Sequence, residues 1–226
     1  MKFRRSDADP CIYYRWSKEN GLIVWLSWID DCLFLGNKQE VKYAKNAMLK
    51  QFECDDVGFP EEYVGCKLNF DKEENSLTFT QPVMIQSFSD EYEAKECSND
   101  PVTPLEPGRI LVSGNECDLV SKVRQTYYRS GVGKLLHMMR WSRPEIQSSV
   151  RELARNFQGA VDGHVKAMHR VMLYVISTPN RGLALKPNRV WNGKDRNFEF
   201  IMEGRSDSKY VTCPDTRRSV SGGVLC

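Results

Sequence analysis

The stretch from Gly21 to Asn37, GLIVWLSWIDDCLFLGN, restricts this chain more than any other segment. From Leu22 to Ile29 only Ser27 breaks an apolar run, and Cys32 to Leu35 is apolar again. Between the two runs stand adjacent aspartates, Asp30 and Asp31. Like charges side by side repel each other and resist leaving water, so the interior cannot take them unless something compensates. Each run is long enough for a strand, and the whole is too short and too acidic at its centre for a membrane span. Strand, acidic turn, strand is a β-hairpin with two carboxylates at its tip.

The flanking sequence continues in the same vein. Cys11 to Trp16 reads as a strand rich in aromatic residues, set off from Leu22 by the turn residues SKENG. From Lys38 to Phe52 the period changes: Val41, Ala44, Met48 and Phe52 recur every three or four residues, which predicts an amphipathic helix on the sheet. Tyr63 to Phe70 and Leu77 to Thr80 predict a second hairpin, and Val83 to Tyr92 a short helix behind Pro82. Residues 97–120 carry Pro101, Pro104, Pro107, Gly108 and Gly114 and read as a linker. Three helices are expected next, at Gln125 to Trp141, Pro144 to Phe157 and Gly163 to Ser177, with a last strand in FEFIMEGRSDSKY near Asp207. Strands first, helices second and a strand last make an α+β chain, not a doubly wound one.

Charge is distributed unevenly. Residues 37–120 hold 8 Lys/Arg against 17 Asp/Glu, a net of −9, whereas residues 121–196 hold 15 against 4, a net of +11. A polyanionic partner and an ordinary solvated helical surface both account for so basic a segment. Met138, Met139, Met168 and Met172 are expected to fill a core. The 8 cysteines form no Cys-x-x-Cys pair, and His137, His164 and His169 have no zinc-ligand spacing near them, so reduced thiols in a cytosolic or nuclear protein are expected. The opening MKFRRSDADP has no apolar segment behind its basic pair, and neither a signal peptide nor a membrane partner is expected.

Two carboxylates at a hairpin tip are oxygen ligands suited to Mg²⁺, which takes one or two acids together with phosphate oxygens and water. A bound divalent ion would supply the missing compensation. An exposed β-turn, where Asp is common and needs no ion, is the other reading of the same dipeptide.

The segment WIDDCLFLGN resembles the Tyr-x-Asp-Asp box of reverse transcriptases, and its surroundings resemble the copia-type retrotransposon polyproteins. SDADPCIYYRW is similar to the family's lead into that hairpin, and EYVGCKLNFDKEENSLTFTQPVMIQSF to the stretch after it. YRSGVGKLLHMMRWSRPEI and VISTPNRGLAL resemble the later helical motifs, and GRSDSKYVTCPDTRRSVSG the opening of the ribonuclease H domain. The matches are collinear and span nearly the whole chain.

The resemblance implies a partial polymerase palm over residues 1–96, the linker at 97–120, a helical thumb and connection over 121–200, and a truncated ribonuclease H start at 201–226. It implies RNA-directed DNA synthesis with two Mg²⁺ ions, or Mn²⁺ in their place, a template–primer duplex of RNA or DNA as partner, and the rest of the polyprotein beside it. The intact element works in a virus-like particle. Asp30 and Asp31 would be two of three polymerase carboxylates, Asp30 the stronger ligand, and Asp207 the first carboxylate of the ribonuclease H site. Trp28 stands where the family usually has Tyr and would adjoin the primer end. Lys134, Arg140, Arg143, Arg151, Arg155, Lys166 and Arg170 would track duplex phosphates without reading sequence. The third polymerase carboxylate and the fingers belong upstream of this stretch, since Asp7 and Asp9 match the lead into the hairpin. This chain alone is therefore expected to be inactive, and a non-catalytic nucleic-acid-binding remnant is the alternative.

Overall fold

A computed structural model describes residues 2–92, 94, 101–187, 193–194, 203–209, 217 and 219–225. The chain forms two compact units, Met1–Gly65 with Lys186–Ile201 and Cys66–Leu185 with Met202–Cys226.

The first unit is built on an antiparallel sheet in sequence order. Its strands are β1 (Arg4–Arg5), β2 (Ile12–Ser17), β3 (Gly21–Trp28) and β4 (Asp31–Gly36). Alternation along β2 and β3 sets Tyr13 opposite Trp25, and Trp25 opposite Phe34. Their rings stack at centroid distances of 4.7 and 5.9 Å, with Phe3 edge-on to Trp25 at 5.7 Å. Such cross-strand aromatic pairs pin the register, because a one-residue slip would send every ring to the other face. Helix α1 (Lys38–Leu49) covers this face: Arg15 pairs with Glu40, whose other oxygen accepts from Asn20 Nδ2 at 2.8 Å. Ile23, Ala44 and Met48 are buried there. Asn37 starts α1 by accepting the Gln39 N–H at 2.9 Å. The helix stops at Leu49, three residues short of the expected end, and Phe52 is 61% exposed. The two-residue strand β5 (Glu62–Tyr63) closes the first stretch of this unit.

In the second unit, β6 (Cys66–Asp71), β7 (Ser76–Thr80) and β8 (Leu183–Leu185) are antiparallel neighbours. Five helical pieces supply the core: α2 (Pro82–Tyr92), α3 (Lys122–Trp141), a 3-10 turn at Pro144–Ile146 running into α4 (Gln147–Ala154), and α5 (Asp162–Ile176). Phe88, Tyr128, Val132, Leu135, Met138, Val150, Leu153, Met168 and Met172 have no exposed surface, which is what the three-and-four spacing of apolar residues implies. Met139 packs against this core half-buried. Several polar groups inside are paired. Tyr128 donates to the Leu153 carbonyl at 2.7 Å, and burial pushes its phenol pKa far up. Ser142 donates to Gln81 Oε1 at 2.7 Å, and Gln81 Nε2 donates to His137 Nδ1 at 3.1 Å. Strands β9 (Gly204–Lys209) and β10 (Val220–Leu225) pair antiparallel, with Asp207 opposite Gly222.

Two expectations change. The second hairpin and α2 belong with the helices, because Ile85, Phe88 and Tyr92 lie in the core cluster of α3, α4 and α5. Residues 101–120 are irregular, as their prolines and glycines require, but they are no free tether. Leu105 and Leu111 are buried in that cluster, and Leu119 bridges to Val161. This segment is a strap on the helices. Among the described residues, Cys11, Cys32, Cys54 and Cys117 are free thiols. No described helix is long and apolar enough to cross a membrane.

Candidate functional site

At the tip of the β3–β4 hairpin, Trp28 pairs with Asp31 and only Ile29 and Asp30 make the turn. Ile29 has φ of 52°, while Asp30 is not left-handed. A two-residue hairpin with left-handed backbone at its first central residue normally places glycine there. A β-branched residue in that conformation is strained by roughly 1–2 kcal/mol. Ile29 is 85% exposed, so it recovers nothing by packing. The flanking strands hold the strain, as happens where a tip has a task besides stability. Ile29→Gly is therefore expected to raise stability by about 0.5–1 kcal/mol in urea unfolding. A loss of stability would show that Ile29 makes contacts that this geometry does not contain.

Asp30 and Asp31 are exposed. Water compensates the two charges, Asp31 as the exposed first residue of β4, and the apolar runs on either side form the strands. The tip has one electrostatic partner that sequence reading missed. Tyr63 is half-buried, and its phenol pKa lies above the ordinary value because of burial first and the negative charges of Asp31, Cys32 and Cys11 after it. The aromatic strand residue in EYVGC was visible in the sequence, but nothing there tied it to Asp31. Asp31→Asn is expected to bring the Tyr63 pKa part of the way down, with burial keeping it above about 10. Ultraviolet titration of the tyrosinate checks this, and an unchanged midpoint would separate Asp31 from Tyr63.

The donor chemistry suits a hard divalent cation: two solvent-facing carboxylates on adjacent residues can share one Mg²⁺ with water. A two-ion centre needs more. Among the described residues no group of three or more His, Cys, Asp or Glu side chains is placed to hold a metal. The residues present thus fall short of a two-ion donor set, and no catalytic step follows from them alone. Trp28 lies opposite Asp31, 45% exposed. Asp207 has its place in β9, but the ligand role expected of its side chain lies outside the described residues.

The basic side chains divide. Arg143 is the clear correction. It is 1% exposed, with Nε on Glu145, Nη1 donating to the Thr178 carbonyl at 3.0 Å and Nη2 to Thr178 Oγ1 at 2.6 Å. A buried guanidinium consumed by these acceptors cannot reach a phosphate. Lys134 is turned inward as well, donating to Ser87 Oγ at 3.1 Å and Glu91 Oε1 at 2.5 Å, 5.6 Å from the Tyr92 ring centre. Arg151 and Arg155 both pair with Glu152 at 3.0 Å, and Arg170 lies 3.5 Å from Glu106. Arg140 and Lys166 are exposed. The +11 of this segment is thus partly spent inside the fold.

The chain is 24% identical over 225 residues to the retrovirus-related Pol polyprotein from transposon TNT 1-94 of Nicotiana tabacum. That alignment takes in 97% of the chain and 16% of the polyprotein, so the chain spans a small part of that relative. An uncharacterised mitochondrial protein of Arabidopsis thaliana is 27% identical over 81 residues, covering 36% of this chain and 65% of that protein. No protein-family profile matches the chain. No solved structure matches it either. Distant but nearly end-to-end similarity to one segment of a Pol polyprotein supports homology of this chain to a retrotransposon polyprotein.

Proposed function

We propose that the chain is the C-terminal palm, thumb and connection portion of a reverse transcriptase, running into the start of a ribonuclease H domain. The observation that carries this reading is the strained two-residue hairpin that holds Asp30 and Asp31 in water at the end of partly buried strands. A turn selected for stability alone would place glycine or asparagine at position 29. In this reading the two carboxylates are metal ligands of the polymerase, Trp28 adjoins the primer end, and Asp207 serves the ribonuclease H site. In the complete polymerase Asp30 and Asp31 would hold Mg²⁺, which would supply charge neutralisation to nucleotidyl transfer. The partner is a template–primer duplex, met through exposed cations such as Arg140 and Lys166.

Because no third carboxylate joins Asp30 and Asp31 among the described residues, residues 1–226 are expected to incorporate no nucleotide in a primer-extension assay with Mg²⁺ or Mn²⁺. Asp30-dependent synthesis by this chain would overturn that expectation. The uneven charge, +11 over 121–196, favours one second reading, a nucleic-acid-binding remnant without chemistry. It predicts salt-dependent duplex binding that Asp30→Asn leaves unchanged with and without Mg²⁺. A metal-dependent change in that binding, lost in Asp30→Asn, favours the polymerase reading instead.

A further inference from the structure

We propose that the strap, residues 101–120, is a pH-sensitive clasp on its helices, closed by the neutral ring of His164 and opened when that ring gains a proton. The strap is held at successive points. Glu106 meets Arg170 at 3.5 Å, the Leu111 N–H donates to Glu152 Oε2 at 3.4 Å, and the Val112 carbonyl accepts from His164 Nε2 at 3.0 Å. Farther on, the Val120 N–H donates to the Ala160 carbonyl at 3.0 Å. Leu105 and Leu111 are its buried apolar anchors.

His164 lies in the middle of this line, 3% exposed, with both nitrogens committed. The Val161 peptide N–H can only donate, so Nδ1, 3.2 Å away, accepts and carries no hydrogen. The Val112 carbonyl can only accept, so Nε2 carries the hydrogen. The clasp therefore requires one tautomer of the neutral ring. A proton added at Nδ1 would point at the N–H of Val161, the residue that precedes α5, beside the helix N-terminus where free peptide N–H groups already concentrate positive charge.

The charged and titratable neighbours do not offset this. From α3 comes Tyr128, its ring centre 6.4 Å away and its phenol kept neutral by burial. From α4 comes Glu152, which acts on the adjacent strap residue and is tied to Arg151 and Arg155. On α5 itself, Asp162 pairs with Arg124 of α3 at 3.2 Å. Glu116 and Asp118 of the strap are exposed. Burial lowers the His164 pKa, and the bond to Val112 raises it by less. The closed form thus resists a proton that the open form accepts. The stabilisation of the clasp is complete above the ordinary imidazole pKa of about 6.5 and is lost as pH falls below it towards the lowered value. Opening frees Arg170 from Glu106 and uncovers Leu105 and Leu111, adding cationic and apolar surface to α5.

Hydrogen exchange of the whole chain, corrected for the intrinsic pH dependence of amide exchange, reads the clasp directly. Between about pH 7.5 and about pH 5, protection of residues 108–115 is expected to fall about tenfold more than that of α3. His164→Gln keeps an N–H donor for Val112 and removes the titrating ring, so its strap protection should be the same at both pH values. Glu152→Gln keeps the acceptor for Leu111 and should retain the response. Equal falls in strap and α3 protection in the unaltered chain, or a response that survives His164→Gln, would overturn the proposal. Should His164→Gln fail to fold, the opening midpoint in the unaltered chain is compared with the His164 imidazole titration by NMR. Coincidence supports the clasp and a mismatch overturns it.

Discussion

Arg143→Ala is expected to destabilise the helical unit by about 3–4 kcal/mol. The guanidinium joins the turn after α3 to the end of α5 through the Thr178 carbonyl and hydroxyl. It also lies 5.5 Å from the centre of the buried Tyr174 ring, which Arg181 approaches at 5.9 Å while donating to its hydroxyl. Truncation leaves the Thr178 carbonyl with the Arg181 N–H as its donor and the Thr178 hydroxyl without the guanidinium, opens a cavity beside Tyr174 and removes a cation from the negative end of a helix. Arg143→Lys keeps the charge but loses the two-pronged donor, so about 2 kcal/mol should still be lost. Urea unfolding of the chain measures both. If Arg143→Ala instead leaves stability unchanged and weakens duplex binding, then the side chain faces the solvent and the buried network is wrong.

Gly131→Val should cost about 3 kcal/mol in the same unit. A Cβ at Gly131 would stand 2.5 Å from Met168 Sδ, 2.8 Å from Tyr92 Cε1 and 2.9 Å from Met172 Cε. Glycine here is not a turn residue. It lets α3 approach α2 and α5 more closely than any side chain permits. Alanine adds one carbon that the flexible methionine ends can yield to but the buried Tyr92 ring cannot, so Gly131→Ala should still cost about 1 kcal/mol net of its gain in helix propensity. Gly133, two residues on, is the control, because a Cβ there meets nothing within 4 Å. Gly133→Ala is expected to stabilise by about 1 kcal/mol. Thermal or urea unfolding of the three variants decides, and equal behaviour of Gly131→Val and Gly133→Ala would refute the close packing.

What the sequence made legible follows from period and sign. Alternation in IYYRW and LIVWLSW, and the two acids after them, located β2, β3, β4 and the tip within a residue or two. The apolar spacing of α3 and α5 marked the residues that are buried. What stayed hidden depends on distance in sequence. Arg143 looks like any other cation in a basic segment, and only the return of Thr178, 35 residues later, makes it a buried strut. Lys134 is likewise claimed by Glu91 from another helix. The strap reads as a linker because proline and glycine dominate it, and two leucines are too sparse a pattern to announce a packed segment. The strain at Ile29 is invisible to composition, since the same residue types would form an unstrained strand one position earlier.

The central claim is that Asp30 and Asp31 are metal ligands in a polymerase palm of which this chain holds a part. Its most direct test is primer extension on a template–primer duplex, comparing residues 1–226 with the same chain extended upstream in its own reading frame. The account predicts no incorporation by residues 1–226, Mg²⁺-dependent incorporation by the extended chain, and loss of that incorporation in Asp30→Asn. Synthesis by the extended chain that Asp30→Asn leaves intact, or Asp30-dependent synthesis by residues 1–226, would contradict it.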